Sequence, residues 1–579
     1  TNNINRLNQK VRIVGIFSPI LEEIFMETNS KSSSISFRNG VPMLPDAEKM
    51  KKLISITLKK EGLSREEKIE KACQHIIEHL KGFGSFAVHK TGMQQGEGNF
   101  FYHLKTGEVL SISKKSELLS TFLYHNFGVS CVSKIFPHLL EVLKHGCFMG
   151  DEICVSSFSN YMIQEGALYF PKSHREMIIC KKEGIIEVVA NGTNGVYLGN
   201  SDQFARFDYL GHDFAGEHSV IENLLFANLN CTNKNDQFLN AQEAAFILEI
   251  FLYLIPFASA METRPLLIIH GQKGSGKSSL LKRMGKAVFG PGWNISLIPR
   301  SRRDLETEFA NNILCCFDNV DRQPQKSQRD AFAAMTTGGS YRSRQLYTDS
   351  TQKSYNPRPL ITITTRDPAL RAEDDDIVDR AIIVKLQTLS TVIPENALIS
   401  EVTEHRDEIL TEMINAMPGI IAALQGDAPN GMNRSFRMAD FANFAYKSAY
   451  AIFRARMTDH EIREMLDKVF DKLVASQRSY ILSNPLHYVV DEYIQEQKNN
   501  QQKFPLTTNS SDLYNDLLKI DKKFKLGFAK ICKSLISFGK LMANNEKIFG
   551  DRYGYSRSTV SGNKTQHSFD GMKQNPLEI

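Results

Sequence analysis

Pro265-Leu266-Leu267-Ile268-Ile269-His270 runs directly into Gly271-Gln272-Lys273-Gly274-Ser275-Gly276-Lys277-Ser278-Ser279. The first six residues are a short apolar run of the kind that fills a buried parallel strand. The next eight satisfy GxxxxGK[ST], and Ser278 to Lys286 continues with helical spacing. Glycines at these positions let successive backbone N–H groups turn inward around phosphates, and the following helix presents its positive end to the same anion. Residues 271–279 are therefore expected to cradle ATP, with Lys277 on the β and γ phosphates and the Ser278 hydroxyl on Mg²⁺.

Working outward, a second apolar run, Ile313 to Phe317, ends in Asp318-Asn319-Val320-Asp321. Asp318 is expected to assist Ser278 at Mg²⁺. Hydrolysis also needs a group that orients or deprotonates water, and Asp318 and Asp321 are rivals for that role because Asn319 stands where a second acid is usual. A third run, Pro359 to Thr364, ends in Thr364-Thr365-Arg366. Thr364 is the expected contact to the γ-phosphate or the lytic water.

Three strands ending in a glycine loop, an acid cluster and a polar residue resemble the AAA+ arrangement. Between the second and third lie a helical pattern, Arg329 to Thr336, and Gly338 to Lys353, which reads as two strands around a polar turn. This resembles the hairpin of superfamily 3 helicases and of related ATPases of phages, plasmids and integrative elements. The resemblance implies a ring, expected to be a homo-hexamer, whose hairpin grips single-stranded DNA in a central channel. Arg342, Arg344 and Lys353 would meet phosphates and Tyr347 would stack on a base. It also implies that Arg380, ahead of the run Ala381 to Val384, is an arginine finger donated to the neighbouring subunit, with Arg366 and Arg371 as runners-up. Weaker similarity lies in Phe436 to Phe441 and Asn191 to Val196, the latter reading as a turn.

The fold class expected from this is α/β: a P-loop AAA+ parallel-sheet core, an N-terminal α+β domain and a C-terminal winged-helix domain. The expected divisions are an extension at 1–60, an accessory domain at 61–235, the ATPase core at 236–395, a helical segment at 396–480 and a DNA-binding domain at 481–579. In the accessory region a helix is expected near Glu66 to Leu80 and another around Phe136 to Lys144, with strands at Phe100 to Leu104, Ala167 to Phe170 and Ile185 to Val189. Helices are expected at Pro485 to Gln495, Ser510 to Leu518 and Gly527 to Met542, followed by strand-like residues from Lys547 to Phe569. Glu496 to Phe504 reads as a flexible connection.

Composition sets the outer bounds. A chain of 579 residues with 42% hydrophobic and 23% charged residues is ordinary for a folded, multidomain protein. A net charge of +5 announces no nucleic-acid partner, yet Lys519 to Lys564 holds eleven Lys or Arg against three acids, a local net of +8. Lys530, Lys533, Arg552 and Arg557 are the expected contacts to duplex DNA there. Nine cysteines without a CxxC pair point to reduced thiols and a cytoplasmic location. Phe246 to Ala260 is expected to be a core helix, not a membrane span. The first 240 residues show no acidic metal cluster, so no primer synthesis is expected. The leading function is an ATP-dependent helicase for replication of a phage or mobile element. The alternative is a DNA-bound ATPase switch or loader, including one in anti-phage defence, without processive unwinding.

Overall fold

The computed structural model describes residues 37–38, 41–89, 99–103, 109–114, 116–157, 161–173, 175–199, 204–214, 218–231, 238–321, 324–344, 352–355, 357–366, 375–391, 393–426, 436–482, 485–524, 528–560 and 564–571. The chain divides into two compact units, one formed by residues 1–91 and 97–153, the other chiefly by residues 154–579.

In the first unit, helices Ala47–Lys59, Arg65–Lys81, Glu117–Phe127 and Ile135–Phe148 share one core with Ile54, Ile76, Phe122 and Leu139 at its centre. Strands Gly84–His89, Asn99–His103 and Val109–Ser111 pair antiparallel. The expected helix near Glu66 starts where Ser64 caps it, its hydroxyl accepting from the Glu67 amide while the Glu67 carboxylate accepts from Ser64 N. Helix Ala47–Lys59, from the stretch read as an extension, packs into this same core, and Leu44 N donates to the buried Asn126 side chain at 2.7 Å.

The second unit is organised by a four-stranded parallel sheet. Its strands are β1 (Leu266–Gly271), β2 (Leu314–Phe317), β5 (Leu360–Thr365) and β6 (Ala381–Leu386), in the order β2-β5-β1-β6. Strands β3 (Tyr341–Arg344) and β4 (Gln352–Tyr355) form the separate antiparallel hairpin read from the sequence. Alternation along β1 feeds two cores. Leu267 and Ile269 join the large cluster with the 241–260 helical stretch, while Leu266 and Ile268 pack with Leu305, Phe309, Phe332 and Met335. Burial on both faces explains the unbroken apolar run.

The stretch Ala241–Ala260 is long and apolar enough to cross a membrane by length and composition, but most of it is buried within the protein. It also carries two acids that the core neutralises. Glu243 accepts from Lys472 Nζ at 3.0 and 3.1 Å, and Glu249 from Arg456 Nη2 at 2.5 Å. Burial pushes the Glu249 carboxyl up to about 7 against the pull of Arg456. Arg456→Ala would strand this carboxylate, so a loss of about 3–5 kcal/mol in stability is expected. Urea unfolding checks this, and adding Glu249→Gln should recover part of the loss.

Near the C-terminus, helices Pro485–Asn499 and Ser510–Phe524, three shorter helices and a three-stranded antiparallel sheet enclose a separate core that includes Val490, Leu517, Phe538, Phe549 and Phe569. Four expectations change here. The helix expected from Gly527 to Met542 is broken into Phe528–Ile531 and Leu535–Asn544, because Ser534 starts a new helix by accepting from the Ser537 amide. Residues expected as strand from Lys547 are helical, over Glu546–Tyr553, and the hairpin is Ser556–Val560 with Lys564–Phe569. The connection expected from Glu496 is partly helix, since Pro485–Asn499 runs into it. Leu506–Asn509 adds an edge strand that the sequence reading missed.

Candidate functional site

The glycine-rich loop joins β1 to the helix Lys277–Phe289 and sits at the C-terminal edge of the sheet. A Cβ on Gly271 would lie 2.4 Å from the Leu386 carbonyl oxygen, so only glycine lets β6 pass this closely. Gly276 has φ +81, which turns the chain into the helix. Gly274 is braced from outside the loop, its carbonyl accepting from Leu389 N at 3.1 Å. Lys277 is buried, its Nζ 2.5 Å from the Gly271 carbonyl oxygen and 3.0 Å from that of Gln272. Burial lowers the pKa of this ammonium, and the nearby Asp321 and Asp318 oppose the shift.

Three adjacent strand ends converge on Asp318. Its Oδ1 accepts from Ser278 Oγ at 2.7 Å and from Thr364 Oγ1 at 2.5 Å, and its Oδ2 accepts from Asn319 Nδ2 at 3.0 Å. Ser278 follows β1, Asp318 follows β2, and Thr364 lies near the end of β5, so the sheet order β2-β5-β1 assembles the cluster. Asn319, the departure from an acid, has φ +55, a left-handed conformation that asparagine tolerates better than most residues. Its backbone amide donates to Thr364 Oγ1 at 3.0 Å.

Asp321 stands apart from this cluster and pairs with Arg366. Its Oδ1 accepts from the Arg366 amide at 2.8 Å, and its Oδ2 from Arg366 Nε at 2.6 Å and Nη2 at 2.5 Å. Burial tends to raise the Asp321 pKa, but these hydrogen bonds and the charge of Arg366 outweigh it and hold it below the usual carboxylate range.

Arg380 lies at the opposite end of the sheet. Its carbonyl accepts from Leu266 N, the first residue of β1, and its Nη1 is 3.4 Å from the Ala333 carbonyl oxygen. At about 3.3 Å per residue, the length of β1 puts roughly 15–20 Å between it and the loop of its own chain. Arg371 and Tyr347 lie outside the described residues. In the hairpin, Arg342 pairs with Ser354 and Arg344 with Gln352, while Lys353 is opposite Ser343.

The expected DNA contacts near the C-terminus separate. Lys533 is exposed just ahead of helix Leu535–Asn544, and Lys530 lies in the short helix before it. Arg552 is not in the hairpin; it lies in helix Glu546–Tyr553 and its Nη2 pairs with Asp491 at 2.8 Å. Arg557 is on the first hairpin strand, with Nε 2.6 Å from Glu546 Oε2. Both therefore have local acids as partners, which the count of basic residues did not foresee.

The weaker motifs have structural work. Asp440 anchors the lead into β1, accepting from Thr263 N at 2.9 Å and Thr263 Oγ1 at 2.6 Å. Asn191 closes its turn by pairing both ways with the Leu198 backbone, at 2.8 and 2.9 Å.

Several solved structures are similar to the chain. One is SCCmec type IV Cch, described as an active helicase, with a TM-score of 0.42 and 14% identity over 76% of this chain and 86% of that one. Another is the apo C-terminal region of NrS-1, with a TM-score of 0.37 and 11% identity over 86% of this chain and 98% of that one. A third is JCV helicase, with a TM-score of 0.20 and 11% identity over 45% of this chain and 66% of that one. No curated protein matches the sequence. Residues 236–471 match the family described as actinomycete integrative conjugative element replication protein, so the stretch holding the glycine loop, Asp318, the hairpin and Arg380 is similar to a replication-protein module, as its motifs imply.

Proposed function

We propose that the chain is an ATP-dependent DNA helicase that works as a ring, expected to be a homo-hexamer, in replication of an integrative element in the cytoplasm. The observation that carries this reading is the convergence of Ser278 and Thr364 on Asp318 beside the glycine loop. Oxygen donors in that set suit a hard cation such as Mg²⁺. Ser278 and Asp318 would hold it, and residues 271–279 would hold the ATP phosphates. When bound there, the cation would neutralise charge on the transferring phosphoryl group. Lys277 binds the same phosphates, Thr364 fixes the Asp318 carboxylate, and an acid of the 318–321 segment orients water.

Because Arg380 is remote from the loop of its own chain, its role at nucleotide belongs to a site on a second copy. Arg380→Ala is expected to lower ATP turnover by about 10³-fold while leaving nucleotide affinity near that of the wild type. Mixing it with Lys277→Ala subunits should restore turnover at hybrid interfaces. Additive, unrescued activity in the mixture would remove the finger from this residue.

The β3–β4 hairpin would carry strand movement, and the C-terminal helices and hairpin form a winged-helix-like domain whose Lys530 and Lys533 would meet duplex phosphates. The test is unwinding of a forked duplex by the full chain with ATP and Mg²⁺. ATP turnover stimulated by DNA with no strand separation would favour the switch or loader instead.

A further inference from the structure

The side chain expected to touch the γ-phosphate is not placed to do so. Thr364 is fully buried, its proton is given to Asp318, and its oxygen accepts from the Asn319 amide. Its geometry is that of a positioning residue. Arg366, one residue past the end of β5, is instead half exposed and lies against Asp321. Both charges of that pair act on Lys277, whose ammonium belongs to the glycine loop.

We propose that Arg366 reads the γ-phosphate of nucleotide bound to its own subunit, and that Asp321 is its partner in the absence of that phosphate rather than the base that activates water. This deepens the ATPase reading and rests on it. The chemistry is an exchange of anions. A guanidinium offers a rigid fork of N–H donors that fits a carboxylate or a phosphate equally well in shape, and the terminal phosphate carries the larger charge. ATP would therefore draw Arg366 from Asp321, whereas ADP, without a γ-phosphate, would leave the pair closed. The backbone amide of Arg366 also donates to Asp321, so the carboxylate stays anchored while the side chain moves. In the closed pair Asp321 faces a guanidinium at 2.5–2.6 Å, an arrangement suited to restraining a cation and poorly suited to accepting a proton from water.

The experiment is equilibrium binding of fluorescent ADP and of a fluorescent non-hydrolysable ATP analogue to the full chain with Mg²⁺, together with steady-state ATP turnover. Arg366→Ala should weaken the analogue by about tenfold or more and change ADP by less than about twofold. Arg366→Lys should restore part of the discrimination. Asp321→Asn, which removes the competing charge, should tighten the analogue and keep turnover within about tenfold of wild type. Equal weakening of ADP and analogue by Arg366→Ala would overturn the proposal. So would loss of turnover in Asp321→Asn with analogue affinity unchanged, the signature of a base. Thermal midpoints near wild type for all three variants guard against misfolding. Lys277→Ala is the separate control: if it left nucleotide binding and turnover intact, the ATPase reading itself would fail, whatever Arg366 does.

Discussion

Lys277→Ala is expected to bring ATP turnover down by at least about 10³-fold, to the level of a preparation without enzyme. The reason lies in how the ammonium is held. It is the one cation buried in the glycine loop, held by hydrogen bonds to the Gly271 and Gln272 carbonyl oxygens. A charge in so confined a site acts through a low dielectric and costs nothing to reorganise when negative charge develops on the phosphoryl oxygens. Alanine leaves the loop's backbone amides in place, so ADP should still bind measurably while turnover disappears. The hydrogen bonds of Lys277 stay within residues 271–275, and the β1, β2, β5 and β6 contacts do not depend on them. The thermal midpoint should therefore shift by no more than a few degrees, corresponding to roughly 1 kcal/mol. Phosphate release and nucleotide binding measured on the same preparation check both halves.

The parts of this site that were legible are those written in contiguous residues. Pro265 to Ser278 holds a strand, a turn and a helix start in one run, and the observed β1 and helix Lys277–Phe289 follow it closely. Asp318 was legible for the same reason, as an acid ending a short apolar strand. The contribution of Thr364 was harder, because Thr362, Thr364 and Thr365 are all ordinary β-formers and only the sheet reveals all three as fully buried. The Asp321–Arg366 pair was not legible at all. The two residues are separated by 45 positions, and they meet only because β2 lies beside β5. Strand adjacency of that kind is set by sheet order, which no local pattern encodes.

The pairing of charges in the basic tail was hidden for a related reason. A local net of +8 counts charges without their partners, and Arg552 finds Asp491 from 61 positions upstream. The broken helix at Ser534 was, by contrast, available in principle. A serine followed three residues later by another hydrogen-bonding side chain is a start signal, and Ser537 Oγ does accept from Ser534 N at 3.1 Å. The apolar spacing on either side masked it.

The second large effect is expected at the hairpin. Arg342→Ala with Arg344→Ala should cut forked-duplex unwinding by more than about tenfold and leave ATP turnover without DNA close to wild type, because phosphate contacts supply most sequence-independent affinity. Register sharpens the choice of residues. Arg342 and Arg344 are two positions apart on β3, whereas Lys353 pairs with Ser343 between them. Strand positions alternate between faces, so 342 and 344 share one face and 353 belongs with 343 on the other. A strand of DNA tracked by one face would therefore lose two contacts in the double arginine variant and none in Lys353→Ala. The slope of log affinity against log salt on single-stranded DNA should become shallower by about 1.4 for the double variant, and by little for Lys353→Ala. Equal effects of the three substitutions would mean that both faces meet DNA. Unwinding that survives the loss of both arginines would take the hairpin out of the motor and leave the ATPase coupled to DNA through some other surface.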